Sequence, residues 1–225
     1  MKLPFADRVQ AGRLLGERLV QLHLAPPLVV LALPRGGVPV GAEVARALHA
    51  PLDLLLVRKI GTPWQPELAL AAVVEGDPPI LVMDEEVQQA VGADRSYLDA
   101  AMNEALQEIR RRRARYLAGR PPVPLAGRTA IVVDDGIATG TTVRAALQAL
   151  RRRQPARLVL AVPVAPADTL ERLRAETDEI VCLHMPEPFR AVGLHYVDFH
   201  QVADEEVLAA LNAASPPEPT PEKKT

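Results

Sequence analysis

Asp134 and Asp135 stand side by side between an apolar run and a loop of small residues, in Ile131-Val132-Val133-Asp134-Asp135-Gly136-Ile137-Ala138-Thr139-Gly140-Thr141-Thr142. Two adjacent carboxylates repel each other, so they call for hydroxyl donors or a metal. The Ala-Thr-Gly-Thr-Thr that follows offers backbone N–H groups and hydroxyls with little bulk. It leads into Val143-Arg144-Ala145-Ala146-Leu147, which is helical in character. A small-residue loop that opens a helix is a phosphate site. Acids beside a phosphate cradle suit a sugar phosphate, with its hydroxyls on the Asp pair and its phosphate on the loop. An ordinary βα junction with a capping Asp needs only one acid. A Walker B strand would need G-x-x-x-x-G-K-[ST], and a dinucleotide site G-x-G-x-x-G; the chain contains neither.

A second anion-directed stretch is Pro34-Arg35-Gly36-Gly37-Val38-Pro39-Val40. Its two glycines let backbone amides approach an anion closely, and Arg35 adds a fixed positive charge. A Gly-Gly turn with a surface Arg is the plain alternative. Arg58 and Lys59 follow the apolar run Leu52–Val57, where a solvated strand end is the plain alternative. A third stretch, Pro186 to Phe199, holds Phe189, Tyr196 and Phe199 in a chain that has three Phe and three Tyr in all. An aromatic face can stack on a planar base; equally, it can plug a small satellite core.

The elements that must position these residues alternate. An amphipathic helix over 7–22 starts at a capping Asp7, with Phe5, Val9, Leu15, Leu19 and Leu22 near one stripe. Continuous apolar runs at 28–33, 52–57, 131–133, 157–164 and 179–183 read as strands covered on both faces. Further β-like segments lie at 68–74 and 80–83, and helices at 39–48, 141–152, 166–175 and 203–213. This alternation predicts an α/β fold, a central parallel sheet of about five strands flanked by helices. Ligands then belong at the C-terminal ends of the strands. Arg35, Arg58, Lys59 and Asp134 all fall at expected strand ends, which sends the motifs to one cleft. Residues 84–120 are mostly helical and form an insertion, expected to serve packing or oligomerisation. Arg110 to Arg113 within it point around the helix rather than along one stripe, which favours a solvated face over an RNA surface. Between 60 and 67, Gly61, Pro63 and Pro66 mark a loop that carries Trp64, the only Trp. The stretch 215–225, SPPEPTPEKKT, reads as a disordered tail.

Composition bounds the rest. The 225 residues suggest one embellished domain, 1–214, and 48% hydrophobic content supports a sizeable core. A net charge of −2 carries no nucleic-acid signature. A single cysteine, Cys182, excludes an intrachain disulfide and suits a reducing cytosol. No signal-peptide core and no run of about 20 apolar residues is visible, so a cytoplasmic chain with no membrane partner is expected. His23, His49, His184, His195 and His200 lack metal-ligand spacing.

The stretch 131–142 resembles the phosphoribosyl pyrophosphate (PRPP) signature of the type I phosphoribosyltransferases. The resemblance extends over roughly 10–200, outside the helical insertion. It implies that fold, with a C-terminal hood at 184–202. It implies that Asp134 and Asp135 hold the ribose hydroxyls and that Gly136, Ile137, Ala138, Thr139, Gly140, Thr141 and Thr142 wrap the 5′-phosphate. Arg35, Gly36 and Gly37 would form the pyrophosphate loop, whose backbone in that family can contain a cis non-proline peptide. Arg58 and Lys59 would meet pyrophosphate beneath a closing loop. Phe189 and Val192, with Asp198, would contact the base. Mg2+ is implied, held near Asp134 and Asp135 indirectly through ribose hydroxyls or water. Arg35, Lys59, Asp134 and Asp135 would carry catalysis, transferring ribose 5-phosphate from PRPP to a nitrogenous base. Ala138 stands where 6-oxopurine enzymes place an Asp, which shifts weight towards an adenine-like or other amine acceptor. A non-catalytic PRPP or nucleotide regulator is the alternative; a metal-dependent phosphate-ester hydrolase lacks further ligands. The resemblance also allows a homodimer.

Overall fold

A computed structural model describes residues 4–65, 68–76, 78–83, 85–91, 94–117 and 119–214, with the side chains of Glu85 and Glu86 left aside. The expected tail at 215–225 lies outside these residues, as do Pro66, Glu67 and Asp84.

The chain begins with α1 (Arg8–Val20), where the Asp7 side chain accepts the Gln10 N–H at 2.7 Å. Then follow β1 (Leu28–Ala32), α2 (Gly37–Leu48), β2 (Leu52–Leu54), β3 (Val57–Gly61), β4 (Ala69–Val74) and β5 (Ile80–Met83). Two helices, α3 (Glu85–Val91) and α4 (Arg95–Leu117), precede β6 (Thr129–Val133) and α5 (Thr141–Arg151). The last elements are β7 (Arg157–Val164), α6 (Ala167–Leu173), β8 (Glu179–His184) and α7 (Asp204–Ala214).

Five strands form a parallel sheet in the order β2-β1-β6-β7-β8. Its central strands are apolar on both faces because both are covered. Ile131 and Val133 of β6 pack with Leu15 and Leu19 of α1 and Val40 and Val44 of α2. Ala130 and Val132 pack on the other side with Leu147 and Leu150 of α5. Each fully buried Leu, Ile or Val contributes roughly 1.5–3 kcal/mol, so this two-sided burial makes the sheet the rigid frame.

One expected strand is two. The run 52–57 leaves the parallel sheet after Leu54, and Arg58 and Lys59 lie inside β3 rather than at a parallel strand's end. Strand β3 pairs antiparallel with β4, and β4 with β5, in a separate three-stranded sheet. An unbroken apolar run hides the break, because Leu55 and Leu56 are buried on either side of it. One face of the small sheet, with Ala72 and Val74, packs on α5; the other, with Ile60 and Val73, packs on Ala105 and Ile109 of α4. The helical insertion thus covers a sheet face.

Stripe assignment in α1 also needs correction. Its buried positions are Arg8, Ala11, Gly12, Leu15, Gly16 and Leu19. Val9 is only half-buried and Arg8 takes the inward place.

Candidate functional site

Strand order reverses between β1 and β6: the chain leaves β1 towards β2 and leaves β6 towards β7. A crevice opens at the carboxyl ends of two such strands. The Arg35-Gly36-Gly37 turn follows β1 and the acid pair follows β6, so both line this crevice. The approach is close. A Cβ on Gly36 would fall 2.1 Å from Asp135 Oδ2, and one on Gly37 would fall 2.9 Å from Asp134 Cα. Only glycine fits there. The Leu33 N–H donates to Val133 O at 2.9 Å and fixes the register of the two segments. The Pro34–Arg35 peptide is cis.

The acids are unequal. Asp135 Oδ2 accepts Arg8 Nε at 2.8 Å, and both side chains are largely buried. Arg8 Nη1 donates to His200 O at 2.9 Å, and its guanidinium lies 3.9 Å from the centre of the Phe199 ring. Asp134 Oδ1 accepts the Asp135 N–H at 2.9 Å. Burial, then the neighbouring Asp135 charge, push the Asp134 carboxyl well above the usual carboxylate range. Burial also raises Asp135, with Arg8 pulling in the opposite direction. The pair is therefore held in a state that hydroxyl donors or positive charge would relieve.

Residues 136–142 run from the loop after β6 into the start of α5. The Ile137 N–H donates to Val164 O at 2.9 Å, and Thr169 Oγ1 donates to Ala138 O at 2.9 Å. These bonds pin the outer side of the loop. Among the described residues, no acceptor takes the backbone N–H of Ala138, Thr139, Gly140, Thr141 or Thr142. Gly140 caps α5 with φ of 78°, a left-handed turn that aims these amides out of the helix end. Ala138 and Thr139 are exposed.

The other expected site residues divide. Arg35 is 34% exposed in its side chain, and its Nη1 lies 3.6 Å from Asp204 Oδ1 at the start of α7. The same carboxylate accepts Tyr116 Oη at 2.5 Å and pairs with Arg115 at 2.9 Å, so α4 and α7 jointly place Arg35. Val192 lies against the cradle, since its Cγ1 would be 2.5 Å from a Cβ on Gly136. Phe189 stacks on His195, with ring centres 5.6 Å apart, and joins a small core of Phe5, Val164 and Tyr196. Asp198 is drawn elsewhere: it accepts His200 N and pairs with His200 Nδ1, and its side chain is 60% exposed. Arg58 and Lys59 are exposed on β3, and among the described residues neither forms a hydrogen bond or ion pair with the acids. By strand alternation Arg58 shares the α4 side with Ile60, and Lys59 the α5 side with Val57.

The donor set bears on Mg2+. One oxygen of the acid pair is taken by Arg8. Among the described residues, no group of three or more His, Cys, Asp or Glu could hold a metal ion. The pair fits a cation held chiefly by ligand oxygens and water, with the carboxylates behind it.

A model of the phosphoribosyl transferase domain matches residues 10–198. The chain belongs to this family. Two Mycobacterium tuberculosis proteins, from strains CDC 1551 and H37Rv and both provisionally named phosphoribosyl transferases, are 48% identical to it over 214 residues. That match covers 95% of this chain and 47% of theirs, so the chain spans about half the length of the curated relatives it matches. Among solved structures, TT1426 from Thermus thermophilus superimposes with a TM-score of 0.80 at 47% identity, covering 92% of this chain and 97% of its own. AQ2163 from Aquifex aeolicus, at 12% identity and a TM-score of 0.51, shares the fold over 92% of this chain and 86% of its own. The α/β architecture with a five-stranded parallel sheet is thus that of the family.

Sequence reasoning missed Arg8 and Asp204, and for Tyr196 it missed the bond to the acid pair. Tyr196 Oη donates to Asp135 O at 2.5 Å and anchors the hood to the acid pair. A signal for Arg8 was present: it precedes Ala11, Gly12 and Leu15 by three, four and seven residues, on the buried stripe. A cation at a helix N-terminus is also unfavourable unless a carboxylate meets it. Asp204 gave no such signal beyond an acid in a first turn.

Proposed function

We propose that this chain transfers ribose 5-phosphate from PRPP to a nitrogenous acceptor and releases pyrophosphate. The observation that carries this reading is the contact of the Arg35-Gly36-Gly37 turn with Asp134-Asp135, next to a helix end whose amides have no acceptor among the described residues. A ligand that fills all three places has a vicinal diol, one phosphate at one end and a second anionic group at the other. PRPP has that layout.

In this reading the open amides of 138–142 hold the 5′-phosphate, with Thr139, Thr141 and Thr142 hydroxyls around it. The free oxygens of Asp134 and Asp135 accept the ribose hydroxyls. Arg35 and the Gly36-Gly37 amides hold the pyrophosphate as it gains charge, and Lys59 would add a cation from β3. Mg2+, when bound to pyrophosphate oxygens, supplies further neutralisation of the leaving group. The residues thus act by positioning and by stabilising charge that develops at departure. Val192 borders the space beside the cradle where an acceptor would lie; Phe189 and Asp198 are weaker contacts, because each is engaged elsewhere. Ala138 offers no proton acceptor, which favours an acceptor nitrogen that attacks without side-chain help at that position.

The test is pyrophosphate release from PRPP and Mg2+ across a panel of purine and pyrimidine bases and simple amines. Turnover with one class supports the proposal and names the acceptor. Saturable PRPP binding with no turnover on any acceptor would replace it with a PRPP-binding regulator. Neither describes the rest of the longer relatives.

A further inference from the structure

Away from the cleft, a cavity of about 1010 Å3 opens between edge strand β2, strand β5 and the C-terminal end of α5. Leu31, Leu54, Leu55 and Ile80 give it an apolar wall. Among the described residues its charged groups are Asp53, Glu75, Arg113, Arg152 and Arg153. Both acids are occupied. Asp53 accepts the Leu54 N–H at 2.8 Å and the Val123 N–H at 2.9 Å, and Glu75 accepts Arg113 Nη1 at 2.5 Å.

Arg152 and Arg153 differ from their neighbour Arg151. Arg151 forms a two-bond pair with Asp178, at 2.7 and 2.9 Å, and needs nothing more. The guanidiniums of Arg152 and Arg153 have no hydrogen-bond or ion-pair partner among the described residues. Arg152 is exposed, but Arg153 is half-buried at the cavity. A guanidinium withdrawn from water without an acceptor is costly. Burial accordingly pulls Arg153 below its ordinary range, with Asp53 and Glu75 acting only through distance. A helix C-terminus favours cations, which accounts for arginines at this end of α5 but not for turning one into a cavity.

We propose that this cavity binds a small amphipathic anion: a molecule with one carboxylate, sulfonate or phosphate group and an apolar or aromatic body. The anionic group meets Arg153 and Arg152, and the body lies on the Leu54–Ile80 wall. Among the described residues, three guanidiniums face two carboxylates, and both carboxylates already have partners, which leaves Arg152 and Arg153 for the ligand. The volume is at the upper end of the roughly 300–1,000 Å3 of small-molecule sites. The site is separate from the crevice. Helix α5 has 11 residues, so the phosphate cradle lies about 16 Å away at its other end. Occupant and cradle therefore share one rigid helix.

The probe is 8-anilinonaphthalene-1-sulfonate, a monoanion with an aromatic body, followed by fluorescence on the full chain. The expected result is one saturable site that PRPP does not displace. Arg153→Gln should weaken it roughly tenfold or more, and Arg153→Lys should stay within about threefold of the unsubstituted chain. Arg152→Gln, read in parallel with a thermal melt of each variant, should weaken it by a smaller factor. Equal affinity in Arg153→Gln, displacement by PRPP, or absence of a saturable site overturns the proposal. If Arg153→Gln does not fold, unchanged affinity in Arg152→Gln together with no loss between about 0.05 and 0.5 M salt overturns it.

Discussion

Gly36 lies so close to Asp135 that no other residue fits between them: a Cβ there would be 2.1 Å from Oδ2 and 2.6 Å from Cγ. Asp135 cannot retreat freely, because that same oxygen holds Arg8. The contact joins two segments almost a hundred positions apart and defines the floor between the proposed diol and pyrophosphate subsites. Gly36→Ala should therefore cost about 1–3 kcal/mol in urea unfolding, as overpacking does, and also lower PRPP affinity. Stability and affinity both unchanged would show that the two loops are not in contact in solution.

Arg8 is the largely buried partner of Asp135 and pulls against the burial that raises its carboxyl. Removing one member of a buried pair costs about 3–5 kcal/mol, so Arg8→Met should destabilise the chain by that order. In a double-mutant cycle with Asp135→Asn, the second change should add far less than it does alone, with a coupling of about 0.5–3 kcal/mol. Additive effects would remove Arg8 from the account of the site.

Asp134 titrates against folding. Burial and Asp135 raise its folded-state carboxyl above the unfolded value. For an acid raised in this way, the favourable contribution is complete below the unfolded value, near pH 4, and is lost as pH rises through the folded one. The folded chain is therefore less stable at neutral pH than near pH 4 on account of this carboxyl. Asp134→Asn should raise Tm at pH 7, by about 2–4 °C for each 1 kcal/mol of repulsion relieved, and the gain should shrink as pH falls towards 4. Thermal melts at pH 7 and pH 4 read the difference directly. A lower Tm at pH 7 would mean that the carboxylate is stabilising in the folded chain. Such a trade, stability given up for a binding group, is expected where function sets the residue.

The hood depends on the same centre. Tyr196 Oη on Asp135 O and Val192 against Gly136 tie residues 192–196 to the cradle. Tyr196→Phe removes one hydrogen bond and should cost about 0.5–1.5 kcal/mol while leaving PRPP affinity nearly intact. If acceptor KM rises more than PRPP KM, the hood faces the acceptor; an equal rise in both would place it elsewhere.

Much of this was legible because the signals are local. Ile131 to Val133 announces a strand covered on both faces, Asp7 announces a helix start, and Gly140 marks the turn into α5. Each needs only neighbours in the chain. What was not legible depends on distant partners. The break after Leu54 is decided by whether β1 or β4 offers the next hydrogen bonds, and Leu55 and Leu56 look alike in either sheet. Arg58 and Lys59 moved with that break. Asp198 is a carboxylate that the resemblance assigns to the base, but it pairs with His200, two residues on. Arg35 was placed correctly after β1, while the Asp204 that steadies it comes from the last helix.

The central claim is that the crevice between β1 and β6 holds PRPP through the acid pair. Isothermal calorimetry of PRPP with Mg2+, on the unsubstituted chain and on Asp134→Asn with Asp135→Asn, tests it most directly. The account predicts one site per chain and a loss of roughly tenfold or more in the double variant, since two charged acceptors for ribose hydroxyls are gone. Equal affinity in the double variant, with melts showing that it is folded, would contradict it.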